Sequence, residues 1–316
     1  MGVVSKRLRR RFKRLRRNAT YLLLRFTCST LSFLPRTLLL STAAVAANLT
    51  YLLNRRDREL MRRNLAVAFP ERSHAFREKI ARRVFPNLAR GLVDFAVAYR
   101  NRKKDFTAII PMDVDWEQYV AGPASRGAVV VSGHLGAWEL FACSSARYTG
   151  GKLAVLARRL PNSFLNDWIV GLRQAFGTKV FYQDHSPLAL VKFLRSGNII
   201  GVLPDQDVKR VTGTFVPFFG RPAWTPTGPA LLSILAGVPL YVTYLVWDKD
   251  AWRLVTEGPL PCPRAGSLEK NVEKLTVMWT EILERTIRRY PDQWVWFHRR
   301  WRRRPQDLPK LKSLDS

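Results

Sequence analysis

The run Val129-Val130-Val131-Ser132-Gly133-His134-Leu135-Gly136-Ala137-Trp138-Glu139 sets a histidine and a carboxylate at a spacing that suits proton transfer. The three valines read as a buried strand, Ser132-Gly133 as a tight turn, and Trp138-Glu139 as the start of an apolar helical pattern. His134 then stands at the carboxyl end of a strand, the edge where open α/β sheets bind ligands. Glu139 falls in the first turn of the following helix. A histidine there, with a carboxylate folded back onto one ring nitrogen, can take a proton from a hydroxyl. The same residues fit a plainer role, in which His134 caps the helix and Glu139 favours its positive end. Spacing alone leaves both readings open.

Three further clusters carry chemistry-bearing residues. In Ile199-Ile200-Gly201-Val202-Leu203-Pro204-Asp205-Gln206-Asp207, polar groups again follow a strand. Asp205 either opens a turn after Pro204 or serves the same sheet edge as His134, with Gln206 beside it. Segment 213–223, which holds Phe218, Phe219 and Gly220, is predicted to be an apolar loop punctuated by Gly and Pro. It either covers the surface or shapes a site for an acyl chain. Segment 291–305 interleaves Trp294, Trp296 and Trp301 with Arg299, Arg300 and Arg302. That pattern suits base stacking, an interfacial aromatic belt or guanidinium forks on phosphate. His74, His185 and His298, in a basic amphipathic stretch, a polar turn and the Trp/Arg block, read as structural.

The elements that must position these groups follow from periodicity. Strands are predicted at 127–131, 153–157, 178–181, 199–203, 240–246 and 252–256. Helices are predicted at 57–69, 74–85, 139–148, 163–176, 186–196, 227–236 and 268–290, with Pro70 and Pro86 ending the first two. Strands alternating with helices give an α/β fold, a mostly parallel or mixed central sheet covered by helices. No internal repeat or low-complexity linker divides residues 54–316, which read as one domain.

Composition adds a partner class. Of 316 residues, 53 are Lys or Arg and 24 Asp or Glu, a formal charge of +29. Nine of the basic residues lie between positions 6 and 17, and the chain without them still carries +20. Such a balance calls for an anionic partner: nucleic acid, an acidic membrane surface, an acidic protein or a phosphorylated substrate. The basic leader runs into Tyr21-Leu22-Leu23-Leu24-Arg25-Phe26 and then the leucine-rich stretch to Leu53. A charged leader before an apolar stretch resembles a secretory signal, but Arg25 and Arg36 interrupt the apolar region and no A-x-A site is followed by a polar start, which favours an anchor over export. Residues 1–53 are therefore read as a polybasic, membrane-anchoring helical segment, an interfacial pair or one short span, held to an anionic leaflet. A nucleic-acid-binding arm is the competing reading, weakened by the leucines that follow. Cys28, Cys143 and Cys262 form no C-x-x-C pair, which argues against a disulfide framework or a zinc site and fits a reducing compartment.

The His-x4-Glu pair resembles motif I of the glycerolipid acyltransferase superfamily. The fuller pattern resembles the lipid A late acyltransferases of Gram-negative bacteria. Arg63-Asn64-Leu65 with Phe69-Pro70-Glu71 is similar to that family's N-terminal signature. His134 through Glu139 matches its H-x-G-N-W-E form, with Ala137 where Asn is usual. Asp205-Gln206-Asp207, segment 213–223 and segment 291–305 follow in family order, so the likeness covers residues 60–305. Ala157-Arg158-Arg159-Leu160-Pro161-Asn162 is loosely similar to the family's Arg-Pro…Asn-Pro stretch.

The resemblance implies acyl transfer from acyl carrier protein to a hydroxyl of a lipid A precursor, without metal or cofactor, at the cytoplasmic face of a bacterial inner membrane. It implies His134 as general base and Glu139 as the group that orients the imidazole, with no covalent enzyme intermediate. Amides of the helix after His134, or Arg158, would stabilise the oxyanion. Asp205, Gln206, Phe218, Phe219, Gly220, Arg299 and Arg300 would bind substrate, and the basic surface would meet acyl carrier protein and lipid phosphates. Two alternatives stand beside this. One is acylation of another glycolipid or a lysophospholipid. The other is a membrane-tethered nucleic-acid-binding protein, which leaves the ordered motifs unexplained.

Overall fold

In the computed structural model, residues 22, 25, 34–122, 126–208, 211–263 and 265–307 are described. The polybasic run 6–17 and most of the apolar stretch before Leu34 lie outside the described residues. Among the described residues the strands are β1 (Met112–Asp113), β2 (Ala128–Val131), β3 (Leu153–Ala157), β4 (Lys179–Tyr182), β5 (Ile199–Val202), β6 (Gly213–Phe218), β7 (Arg221–Pro226), β8 (Leu240–Asp248) and β9 (Ala251–Glu257). Seven of them form one sheet in the order β1-β9-β8-β2-β5-β3-β4, while β6 and β7 pair separately. Every neighbour in the large sheet is parallel except β8 and β9.

The central strand β2 explains itself. All four of its residues are buried, as expected where helices cover both faces of a parallel sheet. Side chains alternate, so Val129 and Val131 join one apolar core and Val130 the other. The helices are α1 (Arg36–Leu53), α2 (Arg55–Ala68), α3 (His74–Arg100), α4 (Trp116–Ala121), α5 (Trp138–Tyr148), α6 (Ser163–Gln174), α7 (Pro187–Arg195), α8 (Gly228–Ala236) and α9 (Leu268–Arg289). Apolar residues of α7, α8 and α9 pack on the first core and those of α5 on the second.

Two predicted elements differ from what is found. The helix expected to stop before Pro86 runs on to Arg100, with Pro86 inside it. Proline removes one helix hydrogen bond, but Arg82, whose carbonyl loses that partner, lies on the solvent side. The flanking residues are held tertiarily: Phe85 stacks on Phe297 at 5.0 Å and Asn87 donates to the carbonyl of Asp292 at 2.9 Å. Segment 213–223 is not a loop but most of the β6–β7 hairpin. Its turn residues, Phe219 and Gly220, have φ of 51° and 69°, the double positive φ that lets a two-residue turn follow strand twist. The Phe219 amide donates to Glu284 on α9 at 2.5 Å, which holds the unusual backbone in place.

Helix α1 is apolar and 18 residues long, about 27 Å at 1.5 Å per residue and thus near the minimum for crossing a bilayer. Only Leu39, Ala47 and Tyr51 of it are buried; Leu38, Val45, Leu49, Leu52 and Leu53 are exposed. It is fixed to α3 at both ends. Arg36 forms a forked ion pair with the fully buried Asp94 at 2.6 and 3.0 Å, and Tyr51 donates to Glu78 at 2.6 Å. Trp252 of β9 also donates to Asp94, so the carboxylate ties α1, α3 and the sheet together.

Candidate active site

The catalytic candidates are set by strand register. β2 and β5 are parallel neighbours, with Val131 opposite Val202. His134 and Asp205 each lie three residues beyond that pair, so the two loops deliver them to the same point on the carboxyl edge. Asp205 is completely buried and accepts from the backbone N–H of His134 at 2.8 Å and from the indole N–H of Trp294 at 2.9 Å. Its other oxygen faces His134 Nδ1 at 2.7 Å. A carboxylate is acceptor only, so Nδ1 carries the proton and Nε2 the lone pair. Burial disfavours the charged imidazole, but the charge and hydrogen bond of Asp205 outweigh it and raise the His134 pKa. The Asp205 carboxyl is desolvated yet held well below the usual carboxylate range by His134 and Trp294.

Glycine is required at one place in this turn and favoured at another. Gly136 has φ +63°, and a Cβ there would lie 2.0 Å from the carbonyl oxygen of Leu245. A Cβ on Gly133 would meet Asp205 Oδ2 at 3.3 Å, so its absence lets the carboxylate approach the His134 amide. The turn is also clamped from outside. Gly136 N–H donates to the Gln293 carbonyl at 3.0 Å, Val295 N–H to the His134 carbonyl at 3.0 Å, and Ala137 N–H to the Leu245 carbonyl at 2.9 Å.

Glu139 does not fold back onto the imidazole. It sits in the first turn of α5 and makes a forked ion pair with Arg173 of α6 at 2.6 and 3.0 Å. The expected orienting partner of His134 is thus corrected from Glu139 to Asp205. The reason is geometric: the first helical turn aims residue 139 at α6, and the register brings residue 205 under the ring. Glu139 still adds a smaller charge effect that favours the imidazolium. The amides of Gly136 and Ala137 are already bonded to carbonyls and are not available to an oxyanion.

A cavity of about 420 Å³ opens beside His134. Trp138, Ala142, Val155, Leu156, Ile169, Val170 and Val180 form apolar walls, and the polar groups include Arg158, Glu139, Arg173, Gln206, Asn166 and Gln183. Arg158 and Gln206 were expected at the site and do line it. Phe218 and Phe219 do not. Both are buried in the core, edge-on to Trp294 at 5.8 Å and Trp296 at 5.9 Å respectively. Gly220, expected beside them, is an exposed turn residue that does not line the cavity. The acyl-site role expected of all three is corrected: Phe218 points inward as the last residue of β6, the positive φ of Phe219 turns its ring to the same side, and Gly220 forms the exposed turn.

Arg299 and Arg300 separate completely. Arg300 is fully buried, donates to the Trp224 carbonyl at 2.5 Å and Thr225 Oγ1 at 2.6 Å, and lies over the Phe218 ring. Burial pulls its pKa down to about 10. It pins the hairpin, and the expected head-group contact is corrected accordingly. Arg299 is exposed and lines a groove of about 1120 Å³ together with Arg55, Arg56, Arg63, Arg221, Arg302, Arg303 and Arg304, with Glu59 as the one acid among the described lining residues. Asp207, expected only as part of its motif, orients Arg302 at 2.8 Å and accepts from the Arg303 amide at 3.0 Å. A polar recess of about 280 Å³, lined by Gln206, Asp207, His298, Arg299 and Arg302, lies between groove and cavity. Sequence reading missed the groove because its arginines come from α2, β7 and the C-terminal block. The fully buried Trp294 and Trp296 cannot stack on a base. Among the described residues no three His, Cys, Asp or Glu side chains converge as metal ligands.

The family model of bacterial lipid A biosynthesis acyltransferases matches residues 6–303. The chain belongs to that family. This acyltransferase is 27% identical over 267 residues to the lipid A biosynthesis lauroyltransferase of Escherichia coli (strain K12), covering 81% of this chain and 82% of the relative. It is 26% identical over 258 residues to the lipid A biosynthesis palmitoleoyltransferase of the same organism, covering 79% and 80%. A phosphatidylinositol mannoside acyltransferase of Mycolicibacterium smegmatis is 26% identical over 197 residues, 61% of this chain and 62% of the relative. Membership makes the protein an acyltransferase of lipid A or glycolipid biosynthesis, and the His134 cavity is where its chemistry is sought.

Proposed function

We propose that this acyltransferase moves a fatty acyl chain from acyl carrier protein to a hydroxyl of a phosphorylated lipid A precursor. His134 is the general base. Its Nε2 takes the proton of the acceptor hydroxyl as that oxygen bonds to the thioester carbonyl carbon. Asp205 fixes the tautomer and stabilises the imidazolium without itself being protonated. Collapse of the tetrahedral species breaks the C–S bond, and the imidazolium returns the proton to the departing thiolate. The oxyanion draws on Arg158 at the cavity mouth. No metal or cofactor enters this scheme.

The observation that carries the reading is the adjacency of an acid–base pair, an apolar cavity and an arginine groove. The cavity suits one hydrocarbon chain, and the groove suits the phosphates of a glycan head group. The recess shares Arg299 and Arg302 with the groove and Gln206 with the cavity, and the acceptor hydroxyl is proposed to approach the base past Gln206. Residues 1–53 are proposed to hold the enzyme at the cytoplasmic face of the bacterial inner membrane, with the exposed apolar side of α1 toward lipid. The mycobacterial relative's name makes a phosphatidylinositol mannoside acceptor, with its single phosphodiester, the second reading, but a groove lined by eight arginines among the described residues favours a head group carrying more than one negative charge.

Purified full-length protein, given acyl carrier protein thioester and a phosphorylated lipid A precursor, is expected to release thiol and add one acyl mass to the lipid. Thiol release with a mannoside acceptor but none with the lipid A precursor would overturn the acceptor assignment. No acceptor-dependent release with either would overturn the assignment of acyl carrier protein as donor.

A further inference from the structure

Asp205 is a buried charge, and a buried charge persists only when its lone pairs are satisfied. Its oxygens have unequal partners. Oδ1 faces the imidazole, while Oδ2 accepts from the His134 amide and from the indole N–H of Trp294. The torsion about Cβ–Cγ of an aspartate has broad, shallow wells, so hydrogen bonds rather than sterics fix the plane of the carboxylate. The His134 amide belongs to the loop that Asp205 must orient. Trp294 supplies a reference point from outside that loop.

The surroundings of Trp294 suit such a role. Its side chain is fully buried, and its backbone is stitched to the catalytic turn through the antiparallel bridge of Leu135 with Trp294. The segment carrying it is held in turn from α2, where Asn64 donates to the carbonyls of Trp296 and His298, both at 2.7 Å. Two residues away, Trp296 is also fully buried, but its indole N–H goes to the Pro291 carbonyl at 2.6 Å and touches neither Asp205 nor His134. The two tryptophans share the core, and only one reaches the acid–base pair.

We propose that Trp294 is a positioning residue, holding Oδ2 of Asp205 so that Oδ1 stays on His134 Nδ1 as the imidazolium forms. This rests on His134 being the general base. Without the indole donor the carboxylate turns out of line, imidazolium stabilisation weakens, and the His134 pKa falls. A purely structural tryptophan would affect stability and leave the pH dependence unchanged.

The test compares Trp294→Phe with Trp296→Phe in full-length enzyme, using acyl carrier protein thioester and lipid A precursor. Trp294→Phe should lower kcat by about tenfold, the low end for losing a hydrogen bond that orients a functional side chain. It should leave KM near wild type and move the acidic limb of the kcat/KM profile to lower pH. Trp296→Phe should lose thermal stability while keeping the wild-type limb. If Trp294→Phe does not fold, replacing the Trp294 indole N–H by sulfur through a benzothienyl analogue removes the donor and keeps the ring, with the same expected shift. A limb that stays in place or moves upward overturns the proposal, as does an equal shift in both variants. Wild-type enzyme with no acidic limb near the imidazole range would instead overturn the assignment of His134.

Discussion

The cavity beside His134 and the arginine groove differ in what each can hold. In the cavity apolar walls dominate, and Glu139 and Arg173 neutralise each other at 2.6 Å. Among the described residues eight arginines and one glutamate line the groove; Arg55 pairs with that glutamate and Arg302 and Arg303 with Asp207, while no described carboxylate lies within ion-pair distance of Arg56, Arg63, Arg221 or Arg299. Elsewhere on the surface arginines are commonly paired, as Arg62 and Arg82 are with Glu78 and Arg285 is with Glu257. The contrast describes a substrate with two unlike ends and places the acid–base pair near their boundary. It also separates two arginines that are neighbours in sequence: Arg299 belongs to the groove and Arg300 to the core.

Removing the chemistry while keeping both regions is the severest test of that division. His134→Ala should lower acyl transfer by about 10²–10⁴-fold. Circular dichroism and retention of phosphorylated lipid by the groove should stay at wild type. Near-normal turnover in this variant would sink the mechanism.

The next effect separates the arginines. Arg300→Gln should destabilise the fold by about 1–3 kcal/mol, because it strips buried partners at Trp224 and Thr225, and should appear as a lowered Tm. Arg299→Gln should leave Tm unchanged and raise the KM for phosphorylated acceptor several-fold, with kcat little affected. The reverse pattern would mean that the groove has been assigned to the wrong residues. A smaller effect is expected inside the cavity. Val170→Phe on α6 should shift donor preference toward shorter acyl chains and leave the acceptor KM alone. A change in the acceptor KM, with donor preference intact, would exchange the roles of the two regions.

Much of this arrangement was legible in the sequence, and the failures have identifiable causes. The valine run, the Ser-Gly turn and His134 at a strand end are local features, and they read correctly. Asp205 was visible as a polar residue at the same edge. Its pairing with His134 depends on β5 lying beside β2, a topological fact outside any local window. Glu139 misled because five residues along the chain suggests proximity, whereas the first turn of α5 carries it to Arg173. The hairpin was hidden by Phe219, a residue that rarely adopts positive φ and does so here under restraint from Glu284. Arg300 could not be told from Arg299, since its partners lie some 75 residues earlier in the chain.

The central claim is that Asp205, rather than Glu139, governs the protonation of His134. The pH dependence of kcat/KM for wild type, Asp205→Asn and Glu139→Gln tests it most directly. The base works in its neutral form, so activity rises as His134 loses its proton. The raised pKa sets the wild-type acidic limb above the ordinary imidazole value of 6.5. In Asp205→Asn the two larger raising interactions vanish and only the smaller charge effect of Glu139 opposes burial, so the limb should fall well below its wild-type position. Glu139→Gln should move it far less, because Glu139 acts on the ring only through a smaller, longer-range charge effect. A larger downward shift in Glu139→Gln than in Asp205→Asn would contradict the account.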